Sequence, residues 1–167
     1  MKQIEKHLKE YFGDKFSYYM TNPQLVKELD LEDIKLKDIE DITIFSNLIY
    51  LNISGTNIQN IEPVKRLKSL QILYAEFCKI TDISPLSELY QLRELDLSAP
   101  LDCIDSLESL SNLKNLEKLY IPDHPIKTIK PIYELNNLRV LSILRTKVPL
   151  KEVNEYKLLN SKCEVWY

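Results

Sequence analysis

The stretch Leu48–Gln91 holds two consecutive copies of one 22-residue unit, LIYLNISGTNIQNIEPVKRLKS followed by LQILYAEFCKITDISPLSELYQ. The same pattern continues on both sides: one unit precedes it at 26–47, two follow at 92–115 and 116–137, and a sixth opens at Leu138. The five full units have 22, 22, 22, 24 and 22 residues. A period held this closely predicts a solenoid, in which each unit packs mainly on its neighbours.

Each unit divides into a strand segment and a return segment. Positions 1, 4 and 6 are apolar, which is the spacing of a short strand with one buried row. Positions 11, 14, 17 and 20 are apolar with helix-like spacing. Proline occupies position 16 of three units: Pro63, Pro85 and Pro131. Proline fits the first turn of a short helix, and we expect Ser84 to cap one such helix.

These residues resemble the leucine-rich repeat family, in particular its 22-residue class of internalin-like and phosphatase-regulator-like proteins. The resemblance covers residues 26–167. It implies an α/β fold: a curved solenoid with a parallel sheet on the concave side, and a short helix, a 3₁₀ turn or an extended segment on the convex side. The motif encodes a scaffold and leaves the function open.

Position 9 departs from the family pattern, which has an asparagine that hydrogen-bonds neighbouring turns. The residues found there are Ile34, Thr56, Cys78, Asp102, His124 and Thr146. Threonine and cysteine can still bond the backbone, whereas Ile34 cannot, so we expect a less regular turn. Unit four has two extra residues around 98–101, where we expect a bulge.

Both ends of the solenoid are expected to carry caps, because a terminal repeat exposes its apolar face. The predicted division is a capping helix and connector at 1–25, the repeats at 26–149 and a helix–strand cap at 150–167. The N-terminal cap contains an amphipathic helix over 1–12 that ends near Gly13. The C-terminal cap contains a helix over Leu150–Leu159 and a last strand that begins near Cys163, a buried residue.

Composition argues against several function classes. The formal net charge is −3 and the isoelectric point about 5.5, which disfavours nucleic acid as a partner. The chain has two glycines and neither of the common phosphate-binding glycine motifs. It shows no signal-peptide pattern and no run of about 18 apolar residues, so we expect a cytoplasmic protein without membrane contact. Its Lys-, Ile- and Asn-rich usage is typical of low-GC bacteria.

No catalytic, cofactor or metal site is predicted. The cysteines are few and widely spaced, which indicates reduced thiols rather than a metal site or disulfides. Neither His7 nor His124 has partners at zinc-ligand spacing, and no nucleophile elbow occurs. Since His124 and Cys78 occupy position 9, a structural hydrogen-bonding role is favoured over catalysis.

The remaining information lies on the concave face, which we define as the side chains at positions 3, 5, 7 and 8, because side chains alternate along a strand. Its first strand is acidic, its centre is aromatic with acidic neighbours, and its last part turns basic. The predicted partner-binding residues are Glu28, Asp30, Glu32, Tyr50, Asn52, Tyr74, Glu76, Phe77, Glu94, Asp96, Lys118, Tyr120, Arg139 and Arg145.

An aromatic centre ringed by charge is typical of protein-binding hot spots, and the acidic weighting favours a basic partner. We therefore expect a non-catalytic interaction module, monomeric when free, and in a sharper version a toxin-neutralising immunity protein. Other interpretations stay open: a regulatory subunit of an enzyme such as a phosphatase, by family analogy, or a cryptic enzyme. Binding through the edges, the convex side or the N-terminal helix is open too, as is a face with no partner.

Overall fold

The computed structural model describes residues 2–99 and 103–167, with side chains from Ile4 onward. Within these residues one parallel sheet contains seven strands in chain order. The strands are β1 (Glu28–Asp30), β2 (Tyr50–Asn52), β3 (Ile72–Tyr74), β4 (Glu94–Asp96), β5 (Lys118–Tyr120), β6 (Val140–Ser142) and β7 (Glu164–Trp166). The predicted capped solenoid with a parallel sheet is confirmed.

Each strand pairs with the next at the same position of the repeat. Leu51 is in register with Leu73, Leu73 with Leu95, and Leu95 with Leu119, so the 24-residue unit keeps the register. All four of these leucines are fully buried. The middle residue of each of these strands therefore faces the core, and its two neighbours face the opposite side of the sheet.

The core is a continuous set of stacked apolar rows. Leucine, isoleucine and valine at positions 11, 14 and 17 bury their side chains beneath the strands, as Ile58, Ile61 and Val64 show for unit two. Each row is extended by the same position of the next unit. A single unit could not bury this surface, so the stability of each repeat comes from its neighbours.

The convex side consists of 3₁₀ helices, one of the three conformations that the period allows. They are Glu40–Ile44, Glu62–Arg66, Ser84–Leu86, Glu108–Leu110 and Lys130–Ile132. Pro63, Pro85 and Pro131 lie in the first turns, as expected. A 3₁₀ turn needs few residues, which suits a unit of 22.

Ser84 does not cap its 3₁₀ helix, so that prediction is wrong. Ser84 is the first residue of the helix, and its backbone N–H donates to Oδ1 of Asp82 at 2.8 Å. Asn60 and Thr128 accept in the same way from the residue two positions on. The capping group is therefore the short polar side chain at position 13, which bonds the backbone two residues later.

The N-terminal cap consists of two α-helices where the sequence predicted one. Helix α1 (Lys2–Phe12) buries Ile4 and Leu8 and ends at Gly13, whose φ of +53° reverses the chain direction. After a 3₁₀ turn (Gly13–Lys15), helix α2 (Phe16–Thr21) follows, then a second 3₁₀ turn (Pro23–Leu25). The Phe12 ring packs on Phe45 at a centroid distance of 6.0 Å, which seals the first repeat.

The C-terminal cap begins with helix α3 (Leu150–Leu159), as predicted, and continues into β7. Val153 and Tyr156 are fully buried against the last repeats. Burial raises the pKa of the Cys163 thiol, which keeps it protonated near neutral pH. The chain division at residues 25 and 149 stays a proposal.

Position 9 still forms a chain of buried hydrogen bonds without asparagine. The Thr56 hydroxyl donates to the Ile53 carbonyl at 2.6 Å, and the Cys78 thiol donates to the same carbonyl at 3.1 Å. Ile34 has no polar side-chain atom and is half-buried. Asp102 and the centre of the expected bulge, 100–102, lie outside the described residues.

His124 replaces asparagine with both of its ring nitrogens. Its Nε2 lies 2.8 Å from the Leu97 carbonyl, and its Nδ1 accepts the Ile104 N–H at 3.3 Å. The ring is therefore the tautomer that carries its proton on Nε2. It joins the strand segment of unit four to the return segment, across the longer unit.

We expect His124→Ala to lower the free energy of unfolding by about 1–3 kcal/mol, because it leaves a buried carbonyl and a buried N–H unpaired. Urea unfolding at pH 7 measures this. His7→Ala, a change in the half-buried helical histidine of α1, is the control and should stay within about 0.5 kcal/mol. Equal effects of the two substitutions would contradict the bridging role.

We expect Leu95→Ala to cost about 2–5 kcal/mol through the cavity it leaves at the centre of the sheet. Leu158→Ala, at a side chain that is 83% exposed, is the matched control and should change stability little. Chemical denaturation of both variants gives the comparison. A small loss at Leu95 would mean that neighbouring repeats collapse into the space.

Candidate functional site

The register places the concave-face side chains in two rows that cross the sheet. The row from position 3 contains Glu28, Tyr50, Ile72, Glu94, Lys118, Val140 and Glu164. The row from position 5 contains Asp30, Asn52, Tyr74, Asp96, Tyr120, Ser142 and Trp166. Neighbours within a row are about 4.8 Å apart, the spacing of adjacent strands. The strand residues among those predicted for binding therefore lie on one surface.

Tyr74 and Glu94 form the centre of this surface. The Tyr50 and Tyr74 rings meet edge to face with centroids 5.7 Å apart. The Tyr74 hydroxyl donates to Glu94 Oε1 at 2.8 Å, and Lys118 Nζ lies 2.9 Å from Glu94 Oε2. Burial and the neighbouring Glu94 carboxylate raise the pKa of Tyr74. This hydrogen-bonded group anchors the Tyr74 ring, against which the Tyr50 ring packs.

Three carboxylates lie beside the centre and are not paired with a cation in the described part of the chain. Burial raises the pKa of Glu76, and the nearby charges of Asp96 and Glu32 raise it further. Burial raises the pKa of Asp96 as well, although its Oδ1 accepts the Ser98 N–H at 2.8 Å. Among the described residues, no lysine or arginine nitrogen lies within 4 Å of these three carboxylates.

The remaining predicted residues are placed less uniformly. Asn52 is only 5% exposed, and its Oδ1 accepts the Ser54 N–H, so this side chain mainly holds the turn. Arg139 lies just before β6 and Arg145 just after it, at opposite ends of the strand. Arg145 is paired with Asp123. The two arginines therefore do not form one basic patch.

Position 8 adopts a left-handed backbone conformation in five units. The φ values are +57° at Asp33, +68° at Gly55, +55° at Phe77, +63° at Asp123 and +58° at Arg145. Glycine and aspartate tolerate this region, whereas a phenylalanine there is uncommon. Phe77 is also 62% exposed, which sets it apart from the buried aromatic residues of the fold.

The described part of the chain contains a surface groove at its N-terminal end. A shallow groove of about 420 Å³ lies between the N-terminal cap and β1, bordered by Tyr11, Phe12, Tyr19 and Glu28. In residues 2–99 and 103–167, no group of three His, Cys, Asp or Glu side chains is placed to hold a metal ion. In the same part of the chain, no helix has the length and apolar character needed to cross a membrane.

Comparison with known proteins places this geometry in a family. The family described as Leucine Rich repeats (2 copies) matches residues 46–88 and 68–112. Comparison with curated proteins gives no match. Among solved structures, the chain is similar to an internalin (inlF) from Listeria monocytogenes, with a TM-score of 0.84 and 22% identity over 98% of this chain and 54% of that one.

Two further solved structures agree. Internalin C2 from Listeria monocytogenes has a TM-score of 0.76 and 28% identity over 83% of this chain and 60% of that one. A leucine-rich repeat protein from Leptospira interrogans has a TM-score of 0.74 and 27% identity over 84% of this chain and 37% of that one. Residues 46–112 therefore contain leucine-rich repeats, and the chain has the fold of a leucine-rich repeat solenoid. It spans only about half the length of the first structure, so what the whole internalin does is not transferred to it.

Sequence reasoning missed three residues that border this candidate surface. Glu164 and Trp166 continue the two rows onto β7, and the Trp166 ring lies 6.1 Å from Tyr120. In the sequence, these two residues could have been found from the segment Cys-Glu-Val-Trp, which has the same alternation of inward and outward side chains as the strands of the repeats. Tyr11 of α1 lies near Asp30, and burial together with the Asp30 and Glu28 charges raises the pKa of Tyr11. No repeat position marks Tyr11.

We expect the double variant Glu76→Gln/Asp96→Asn to be more stable than the wild type at pH 7. Both carboxyls have folded-state pKa values raised above their ordinary values of 4.5 and 3.8. A raised acid pKa means that the folded state binds more protons, so ionisation destabilises the fold as pH rises. The stability difference between the double variant and the wild type should therefore shrink as pH falls through the raised pKa values towards the ordinary ones, because the wild-type carboxyls are then protonated.

Urea unfolding midpoints across pH 3–7 check this prediction. Asp14→Asn/Glu134→Gln, at two exposed carboxylates away from the concave face, is the matched control and should show no such gain. A double variant less stable than the wild type at pH 7 would mean that the two carboxylates have stabilising partners.

Proposed function

We propose that this leucine-rich repeat protein is a non-catalytic module that binds a basic protein partner through its concave face. The observation that carries the proposal is the rigid aromatic centre around Tyr74, next to carboxylates without cationic partners. Aromatic side chains in fixed positions lose little entropy on binding. Such clusters supply most of the binding energy at protein interfaces.

The sign of the charge supports a basic partner. In the two strand rows described above, the acidic residues are Glu28, Asp30, Glu94, Asp96 and Glu164, against one lysine. That lysine, Lys118, is already paired with Glu94. Glu32 and Glu76 add further negative charge at the strand ends. A basic surface would relieve this repulsion on binding and would also be attracted from a distance.

We further propose that the partner is a basic toxin, that the protein acts in the cytoplasm as an immunity protein, and that it is a monomer when free. Small size, acidity and a preformed binding surface fit a stoichiometric inhibitor. A regulatory role on an enzyme such as a phosphatase would use the same surface. The identity of the captured partner separates these roles.

We expect the variant Tyr74→Ala/Glu94→Lys/Asp96→Lys/Tyr120→Ala to lose partner binding, because it removes the aromatic centre and reverses two of its charges. The measurement is affinity capture from the native organism with wild type and variant side by side, followed by a titration with the purified partner. We expect a basic protein bound in a 1:1 ratio, and a loss of affinity of about a thousandfold, corresponding to two hot-spot residues of about 2 kcal/mol each.

Two controls make this experiment specific. Glu62→Lys/Glu88→Lys/Tyr90→Ala changes the same residue types at exposed sites outside the concave face and should bind normally. The milder Tyr74→Phe/Glu94→Gln keeps the shape of the centre. It replaces the fourfold variant in the capture experiment if circular dichroism shows that the fourfold variant does not fold. A partner retained by a folded concave-face variant would refute the proposal.

A further inference from the structure

Phe77 is the exposed aromatic residue that the fold does not explain. Its φ of +55° is unfavourable for phenylalanine, and 62% of its surface is exposed. The Phe77 N–H donates to the Ser98 carbonyl and the Gly55 N–H donates to the Glu76 carbonyl, which fixes its neighbours in the row. Those neighbours at position 8 are Gly55 and Ala99, the two smallest side chains available.

These small neighbours are consistent with the 62% exposure of Phe77. In the described residues the ring has no ring–ring contact, although seven other aromatic pairs form. Gly55 has φ of +68°, a conformation that side chains larger than glycine rarely adopt, and the Asp33 carboxylate lies against its other side. We call the Phe77 ring with Gly55 and Ala99 the Phe77 platform.

Negative charge surrounds the Phe77 platform. Glu76 precedes Phe77 in the chain, and the charges of Asp96 and Glu32 reach Glu76. Asp33 lies against Gly55. A planar cation that stacks on an aromatic face and forms two parallel hydrogen bonds to a carboxylate is a guanidinium group. An ammonium group makes a point contact and gains less from the ring.

We propose that the Phe77 platform binds an arginine side chain of the protein partner, with the guanidinium stacked on the Phe77 ring and paired with the adjacent carboxylates. This inference rests on the proposed function and names the chemistry that the concave face recognises. It also accounts for phenylalanine at a position where glycine or aspartate suits the backbone.

The test uses heptaarginine amide and heptalysine amide peptides, which carry equal charge, titrated into the full chain and followed by ¹H–¹⁵N NMR. We expect saturable shifts at the Gly55 and Phe77 amides, and tighter binding of the arginine peptide by about two- to fivefold, the factor that one exposed cation–π contact gives. Phe77→Leu, which keeps an apolar side chain, should remove this preference.

Phe77→Gly provides a second variant that keeps the test valid if leucine disturbs the turn. Glycine adopts φ of +55° without strain, so the unfolding midpoint of Phe77→Gly should equal or exceed that of the wild type. Its preference for the arginine peptide over the lysine peptide should disappear. Tyr90→Ala, at an exposed aromatic outside the concave face, should leave the preference intact.

Equal affinity for the two peptides, no binding of either, or a preference that survives in Phe77→Leu and Phe77→Gly would overturn the arginine inference. Such a result would leave the proposed function standing if the concave-face variant still loses its partner. Conversely, a partner retained by the concave-face variant refutes the proposed function whatever the peptides do.

Discussion

The stacking of identical apolar rows is the constraint on which the rest of the structure depends. The three-residue strand β3 buries one side chain, Leu73, which lies in register with the same position of the two neighbouring units. The register must therefore be exact across all seven strands. A shift by one residue would turn Leu73 outward and Tyr74 inward. The same constraint requires the caps, because Leu29 and Leu141 would otherwise lie at open ends.

This constraint also generates the surface. Because the register aligns equal positions, whatever residues occupy positions 3 and 5 are brought into rows at strand spacing. Glu94 meets Lys118 because both occupy position 3 of adjacent strands, and it meets Tyr74 diagonally across positions 3 and 5, although these residues are 24 and 20 positions away in the chain. Carboxylates placed in this way repel one another unless a cation joins them. The surface is thus rigid and under electrostatic repulsion at the same time.

The sequence predicts the fold to the level of single residues where a position repeats. Leu51 and its equivalents, the helix over Leu150–Leu159 and the prolines of the convex turns lie where expected. Features without a repeat signal were missed or misread. Helix α2 carries aromatic side chains but has no repeat pattern that would predict it. Ser84 occupies the position where a capping side chain is expected, but the side chain that accepts the backbone N–H is that of Asp82.

The candidate surface was predicted less completely than the fold, for a related reason. Strand alternation marks which side chains face outward, so Tyr74 and Glu94 were identified directly. Alternation cannot show that Asn52 is drawn into a turn. Nor does it locate Tyr11, which comes from a helix outside the repeats. The backbone conformation of position 8 depends on the turn that ends each strand, and four of the five residues there are not glycine.

The residues at position 8 show how the fold tolerates an unfavourable conformation. A left-handed residue other than glycine costs about 1–2 kcal/mol, and less for aspartate. Arg145 and Asp123 offset that cost by pairing with each other. Phe77 has no such partner within the described chain, and most of its ring is in contact with water. Strain without a compensating contact is characteristic of a residue whose contact is made elsewhere. The arginine contact proposed for the Phe77 platform would offset this cost on binding.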